Sequence, residues 1–409
     1  MNKLFCFLAI VAITIGCTAV PAAQGLRHVS PEEAGMDAET LSQVDTAILR
    51  CISEGTIPGA VLSVVRGDKI AYLKAYGNRQ VIPDTLKMTT GTIFDLASVS
   101  KCVGTTLAFM QLLERGDVKL DDRVSDYIPD FLPYRDTLID EDVHITIQDL
   151  LTHSSGLDPY LNVEKLASRY GEPCPDSTMR YIATMVHRNF KPKSDFMYSC
   201  LNFVTLQNIL QKVTGERLCD YAGREVFGTL GLEHTCYLPA VNMPELLDSI
   251  APTTVQADGL PFKGVVHDPL ARRLNGGNSG NAGVFSNAED LSVIAAAIMG
   301  GGEVCGRRIL GSETVKLMCT VPYSNDPYIG RALGWDMYSS HSSCKGNKTS
   351  PRRTLCHTGY TGPSMVIDLD NSLAIILLAN RCHPYDTGSL KELRTEVADI
   401  VAGALKPTR

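Results

Sequence analysis

The sequence predicts an α+β fold: an antiparallel sheet built from both ends of the chain and flanked by helices, with an α-rich lobe inserted between. Three observations carry this reading. Ala60-Val61-Leu62-Ser63-Val64-Val65 and Ile70-Ala71-Tyr72-Leu73 are β-rich runs joined by an Arg66-Gly67-Asp68 turn, a hairpin pattern. Met365-Val366-Ile367-Asp368 and Leu373 to Leu378 return to strand character near the other end. Between about Gln148 and Ile298 the pattern is mostly helical, broken by long irregular loops.

The elements follow in order. Met1 to Ala23 carries one charge, Lys3, an apolar Leu4 to Ile15 stretch and then small residues, so residues 1–23 read as a secretory signal. Its apolar part is short for a membrane span. Two cleavage readings stay open. Thr14-Ile15-Gly16-Cys17 resembles a lipoprotein box that would leave a lipid on Cys17, the slightly favoured alternative, and Val20-Pro21-Ala22 is a plain small-residue site. Asp37 to Glu54 reads as an amphipathic helix with Asp37 as N-cap, Leu41, Val44 and Ile48 on one stripe and Gly55 as stop. Cys102 to Arg115 is a second helical run, and a last helix covers about Ser389 to Leu405.

Composition excludes several classes. The 409 residues are 44% hydrophobic and 20% charged, an ordinary globular balance. The net charge of −7, or −8 once Lys3 is removed, comes with no basic stripe, so nucleic acid is not an expected partner. A membrane is expected only through a lipid on Cys17. Thirteen cysteines fall to eleven without Cys6 and Cys17, with no Cys-x-x-Cys pair. That argues against a zinc site and a disulfide framework, although Cys344 and Cys356 could pair. The nine histidines are dispersed without His-Glu-x-x-His, so neither metal nor cofactor is expected.

The chemistry centres on Ser98-Val99-Ser100-Lys101. A serine and a lysine three residues apart at a helix start lie on one face. A serine hydroxyl needs a neighbouring base to act as a nucleophile, and a lysine serves only if its surroundings lower its pKa. The pattern recurs as Ser342-Ser343-Cys344-Lys345 in a polar stretch that reads as a loop, so one copy is a decoy. No Gly-x-Ser-x-Gly elbow occurs, which argues against an α/β-hydrolase.

Further boxes select Ser98. Ile145 to Gly156, Tyr198-Ser199-Cys200, Gly280 to Ser286, Leu333-Gly334-Trp335 and His357-Thr358-Gly359 follow the first tetrad in order. Together they resemble the serine β-lactamase-related family, which includes class C β-lactamases, DD-peptidases and family VIII-type esterases. The likeness covers nearly all of the chain beyond the signal. It implies a β-lactamase/transpeptidase-like catalytic domain over 24–409, with an α/β lobe over about 30–97 and 300–409, an α-rich lobe over about 98–299, and the active site between. It also implies roles. Ser98 would be the nucleophile, and Lys101 and Tyr198 would share the proton transfer, the ammonium lowering the phenol's pKa. The N–H groups of Ser98 and Tyr360 would form the oxyanion hole, with Tyr360 on a strand edge. Cys200, His357, Thr358 and Gly359 would line the substrate site, with the 357–359 box just before a strand.

Two departures shape the expected activity. Cys200 stands where the family has Asn, and a thiol is a weak donor. Asn202 would point elsewhere. His357 stands where β-lactamases have the Lys that faces a substrate carboxylate, and histidine is only partly charged near neutral pH. The expectation is an exported, periplasmic or envelope-anchored carboxylesterase or acyltransferase for a small acyl ester or amide, with water or an alcohol as acceptor. A DD-carboxypeptidase or β-lactamase is the alternative, and a catalytically inactive binding protein the alternative of another class. His153, Trp335 and Cys102 are read as structural.

Overall fold

A computed structural model describes residues 25–323 and 329–407; the expected signal and Cys17 lie outside these. The strands that position the site are β1 (Arg27–His28), β2 (Gly59–Arg66), β3 (Lys69–Gln80), β4 (Leu86–Lys87), β5 (Phe94–Asp95), β6 (Cys236–Tyr237), β7 (Val284–Ser286), β8 (Thr354–Thr358), β9 (Ser364–Asp368) and β10 (Leu373–Ala379). The helices used below are α1 (Ala38–Ser53), α2 (Leu107–Arg115), α3 (Cys200–Thr214), α4 (Ala288–Met299) and α5 (Lys391–Gly403).

Both ends of the chain meet in one sheet of order β1-β3-β2-β10-β9-β8, with β4 added on β3. β2 pairs antiparallel with β10 from Arg66↔Leu373 to Ala60↔Ala379, which is how residues three hundred positions apart become neighbours. The expectation of a purely antiparallel sheet needs one correction. The short edge β1 runs parallel to β3 at Lys69 and Ile70, so the sheet is mixed.

The central strands are buried on both faces, which explains why Gly59–Arg66 is an almost unbroken apolar run. Leu62, Val64, Ile375 and Leu377 pack toward α1 and α5 on one face. Val61, Val65, Ile376 and Leu378 face the core shared with α2 and α4. Each buried Leu, Ile or Val contributes roughly 1.5–3 kcal/mol, and a one-residue slip would exchange the two sets, so register is strongly held. α1 matches its expected signals. Asp37 Oδ1 accepts the Thr40 N–H at 2.8 Å, Leu41, Val44 and Ile48 are buried, and Gly55 leaves at φ +73°.

Two features were not foreseen. A second, three-stranded sheet of order β5-β7-β6 lies beside the main one, and β5 leads straight into Ser98. The helical run that follows is also irregular: Lys101–Thr106 is wound as a wide π turn before α2 begins. Among the described residues no helix is long and apolar enough to cross a membrane. All eleven described cysteines are free thiols, Cys344 and Cys356 among them, and the Cys356 thiol donates to the Ser342 carbonyl at 3.9 Å. His267, Cys382 and Asp386 bring three metal-ligand-type atoms within 4.8 Å of one another. Arg381 already supplies a cation to that carboxylate, at 2.9 Å.

Candidate active site

The turn carrying Ser98 is held from below. Asp95 is 2% exposed. Its Oδ1 accepts the Ala97 N–H at 2.8 Å, its Oδ2 accepts the His267 N–H at 2.7 Å, and its backbone carbonyl accepts the Thr361 hydroxyl at 2.7 Å. Burial pushes the Asp95 carboxyl up to about 6. These bonds fix Ala97 at φ +44°, a left-handed conformation that costs on the order of 1–3 kcal/mol. The strained residue presents Ser98 at the start of the helix, half-buried at the wall of the cleft.

Lys101 lies one turn further on and is fully buried. Its Nζ donates to Ser98 Oγ at 2.9 Å, to the Asn281 carbonyl at 2.8 Å and to Cys200 Sγ at 3.5 Å. An ammonium has three N–H donors, and these contacts use all three. An unpaired buried cation would cost several kcal/mol, so the geometry is that of a solvated-by-protein ammonium. Burial alone would lower the lysine pKa, but Cys200 and Tyr198 beside it leave the net shift upward. Lys101 therefore rests protonated.

The Gly280 to Ser286 box finds its physical reason here. A Cβ at Gly280 would lie 2.0 Å from the Phe203 carbonyl, so only glycine lets this loop press against α3 and aim the Asn281 carbonyl at Lys101. Ser100 Oγ accepts the Val284 N–H at 3.0 Å and the Thr105 hydroxyl donates to the Gly280 carbonyl at 2.8 Å, so the loop is tied twice to the helical run that follows Ser98. Leu333-Gly334-Trp335 has a similar logic. Gly334, at φ +77°, has no side chain to meet Thr106 Oγ1, which a Cβ would approach to 1.9 Å.

Tyr198 enters from the residue before the N-cap of α3. Ser199 is that cap, accepting the Leu201 N–H at 3.2 Å. The Tyr198 hydroxyl is buried, has no hydrogen-bond partner among the described residues and faces the Ser98–Lys101 pair, with Lys101 Nζ 5.1 Å from the ring centre. Burial raises its pKa by more than the neighbouring ammonium lowers it. The ammonium lowers the phenol as expected, but burial outweighs it, so at rest the pair is an ammonium beside a neutral phenol. Cys200 touches Lys101, and burial pushes its thiol up, so it too rests protonated. Asn202 points away, as expected. Its side chain binds His153 Nδ1 and Ser155, and His153 Nδ1 also accepts the Ser199 N–H at 3.1 Å, a structural role.

The opposite wall is the edge strand β8. His357 and Thr358 lie on the strand itself rather than just before it, paired with Met365 and Ser364. Tyr360 lies beyond its end, in the turn closed by Gly359 N–H to the Pro363 carbonyl at 2.8 Å, and its side chain is 60% exposed. That corrects its expected place on the strand edge. The turn nevertheless packs against the turn that carries Ser98. A Cβ at Gly359 would lie 2.4 Å from the Leu96 carbonyl, so glycine lets the 359–360 backbone rest on the strained 96–97 turn. The backbone N–H groups of Ser98 and Tyr360 form no protein hydrogen bond among the described residues.

His357 is buried and neutral. Its Nδ1 lies 3.0 Å from the Thr358 carbonyl, which can only accept, so Nδ1 carries the proton and Nε2 is a bare acceptor. Burial, then the Arg331 and Lys101 charges, hold its pKa well below 6.5. Ser98, Tyr198, His357, Thr358, Gly359 and Tyr360 thus border one cleft of about 510 Å³. Cys200 lies behind them against Lys101. Trp335 and Cys102 are core residues, both fully buried.

Several participants escaped the sequence reading: Asp95, Asn281, and the Arg331, Asp336 and His341 that complete the cleft. Asn281 and Arg331 stand in or beside boxes already singled out, so proximity to those boxes was the available signal.

Comparison with known proteins identifies the family. The family model described as Beta-lactamase matches residues 34–399. A putative D-alanyl-D-alanine carboxypeptidase of Escherichia coli K12 is 30% identical over 404 residues, covering 94% of this chain and 92% of that protein. An N-acetylmuramyl-L-alanine amidase of Bacillus subtilis 168 is also 30% identical, over 93% and 91% of the two chains. Among solved structures, EstCE1, a hydrolase with promiscuous acyltransferase activity, superposes with a TM-score of 0.70 at 23% identity over 89% of this chain and 99% of its own. A class C β-lactamase gives 0.68 at 19% identity over 90% and 98%. The chain belongs to the β-lactamase family and has its two-lobed β-lactamase/transpeptidase-like fold.

Proposed function

We propose that this serine hydrolase acts through an acyl-Ser98 intermediate, cleaving a small ester or passing its acyl group to an alcohol. The observation that carries the reading is the buried Lys101 ammonium 2.9 Å from Ser98 Oγ with the unbonded Tyr198 hydroxyl facing both. The reactive form is one proton poorer than the resting pair. In it Ser98 Oγ attacks the carbonyl carbon while its proton passes to the Lys101–Tyr198 pair. The oxyanion is met by the N–H groups of Ser98 and Tyr360. Tyr198 then hands the proton to the departing oxygen. Water or an alcohol repeats the steps in reverse, losing its proton to the same pair, and Ser98 is freed.

Ester chemistry is favoured over β-lactam cleavage by the two altered boxes. Cys200 is occupied with Lys101 rather than offering an amide, and His357 offers a lone pair rather than a cation. A D-alanyl-D-alanine carboxypeptidase is the second reading, supported by the name of the E. coli relative. Mass spectrometry of intact protein exposed to short-chain aryl esters, to nitrocefin and to an acyl-D-Ala-D-Ala peptide separates them. An adduct on Ser98 from esters, shortened in lifetime by added alcohol, is the expected result. Nitrocefin or peptide turnover matching ester turnover overturns the ester preference, and no adduct from any donor overturns the acyl-enzyme itself.

A further inference from the structure

Lys101 is a buried cation with no counter-ion in contact. Its three N–H donors go to Ser98 Oγ, the Asn281 carbonyl and Cys200 Sγ, none of which is charged at rest. The elements packed around it supply no anion either. Tyr198 and Cys200 rest protonated, and His153 and His357 are held neutral, burial being the first cause for all four. Arg331 is a further cation that acts on the same two histidines. Cys102 donates its thiol to the Gly334 carbonyl at 3.2 Å, and Asp95 spends its carboxylate on the Ala97 and His267 N–H groups. On the helix Leu218–Ala222, against the Lys101 turn, Asp220 is taken by Arg217 at 2.7 Å and Tyr221 by Arg115 at 2.8 Å. Burial pushes the Cys219 thiol of that helix up to about 11.

Asp268 is the converse, a carboxylate held by neutral donors. Its Oδ1 accepts the Ala271 N–H at 2.8 Å and Asn281 Nδ2 at 3.1 Å, and its Oδ2 accepts the Tyr160 hydroxyl at 3.0 Å. The arginines nearest in sequence are engaged elsewhere. Arg272 Nη1 donates to the Val266 and His267 carbonyls at 2.7 and 2.6 Å, and Arg273 pairs with Glu164 and Glu172.

Asn281 joins these two charges. It is fully buried, and both ends of its side-chain amide are fixed: Nδ2 on Asp268, and Oδ1 by the Ser279 hydroxyl at 2.7 Å, whose oxygen accepts Asn275 Nδ2 at 2.8 Å. A side chain anchored at both ends holds its own backbone, so the Asn281 carbonyl stays on Lys101 Nζ at 2.8 Å. A negative charge one residue behind that carbonyl favours the ammonium in a site screened from water. Burial lowers the Lys101 pKa, while Cys200, Tyr198 and then the Asp268 charge raise it.

We propose that Asp268 is a positioning residue for the Ser98 chemistry: through Asn281 it holds Lys101 against the nucleophile and serves as the counter-charge of the ammonium. The inference rests on the acyl-Ser98 reading and adds the group that decides when the Lys101–Tyr198 pair is free to take a proton. Without the anion the ammonium gives up its proton more readily, and the base left behind is weaker.

The test is the pH profile of kcat/KM for a neutral ester, phenyl acetate, between about pH 5 and about pH 10. Asp268→Asn keeps an acceptor for Asn281 and removes the charge. It should carry the rise of the profile to lower pH by about one unit, so that at about pH 6 the variant outpaces the wild type about threefold once its weaker base is allowed for. Asp268→Glu, which restores the charge, should return most of that shift. Asn281→Ala keeps the charge and cuts the tether, and should lower kcat about tenfold with KM little changed; it also serves should Asp268→Asn fail to fold. A folded Asp268→Asn whose profile does not move along the pH axis, or lies below the wild type by one factor at every pH, overturns the proposal. So does a folded Asn281→Ala with wild-type kcat, and failure of both variants to fold would make the link a purely structural one. Acetyl-Ser98 formed by the wild type, with the Asp268→Asn profile unshifted, sinks this inference alone. No acetyl-Ser98 in the wild type sinks the reading beneath it.

Discussion

Two stretches of this chain carry the same four-residue pattern, and they are built for different ends. In both, the lysine is buried and the serine lies on a short helical turn. Lys101 donates to the Oγ of Ser98, which itself lines a cleft. Lys345 instead donates to the carbonyls of Met337 and Pro351, and the Ser342 hydroxyl donates to the Ser339 carbonyl at 2.7 Å. Burial lowers the pKa of Lys345, whereas the side chains around Lys101 leave it raised. The lesson is that a Ser-x-x-Lys spacing acquires chemistry only through what accepts the lysine's protons. Wired to a hydroxyl beside a phenol, it has the geometry that the proposed proton transfer needs. Wired to backbone carbonyls, it is a staple for a loop.

Substitutions can break that contrast, beginning with the serines. Ser98→Ala should abolish covalent labelling by aryl esters, while Ser342→Ala labels at the wild-type rate; intact-protein mass spectrometry reads both. Lysine replacements should split along the same line. Lys101→Met should lower kcat/KM about 10³-fold. Lys345→Met should keep kcat/KM but lose roughly 1–3 kcal/mol of stability, because two carbonyls lose their donor, as urea denaturation would show.

A glycine in each region sharpens the comparison further. Gly359→Ala would push the Tyr360 N–H off the nucleophile's turn, since its Cβ would meet the Leu96 carbonyl at 2.4 Å, and should cost about 10²-fold in kcat. Gly346→Ala, at φ +72° with Asp399 Oδ1 2.5 Å from its Cβ, should cost stability and leave kcat alone. The smallest effect is on pH dependence. Both Lys101 and Tyr198 titrate above their usual values, so the reactive, proton-poor pair grows as pH rises. The kcat/KM for a neutral ester should climb steadily from about pH 6 to about pH 8, and an optimum below neutrality would contradict the assignment.

Stability should show the opposite slope, from Asp95. Its carboxyl is raised from 3.8 to about 6, so the folded state holds this proton more tightly than the unfolded chain. The contribution is fully present below the unfolded value and is lost as pH rises through about 6, on the order of 3 kcal/mol in all. Urea midpoints between about pH 4 and pH 7 should fall less steeply in Asp95→Asn than in the wild type.

Much of this architecture was legible because local chemistry writes it plainly. The cap at Asp37, the hairpin around Gly67 and the two-face apolar runs of β2 and β10 needed only period and turn rules. Ser98, Lys101 and Tyr198 could be placed by resemblance, and the structure brings them together, Ser98 and Tyr198 at one cleft and Lys101 buried behind Ser98. The β1–β3 parallel pair was not legible, being two residues long with no apolar pattern. Nor was Asp95, whose partners His267 and Thr361 lie far away in the chain, nor the placing of Arg331 by the face of Tyr198.

By itself the sequence determined the main strands and helices and narrowed the Ser-x-x-Lys candidates to two, between which only resemblance chose. The elements follow from spacing along a few turns of backbone. Only the tertiary structure decided the protonation states and the charge map. It is burial and three acceptors that keep Lys101 an ammonium, and burial beside Arg331 that makes His357 a neutral acceptor. Desolvation and charge–charge energy depend on what surrounds a group in space, and that surrounding is assembled here from segments up to two hundred and sixty residues apart.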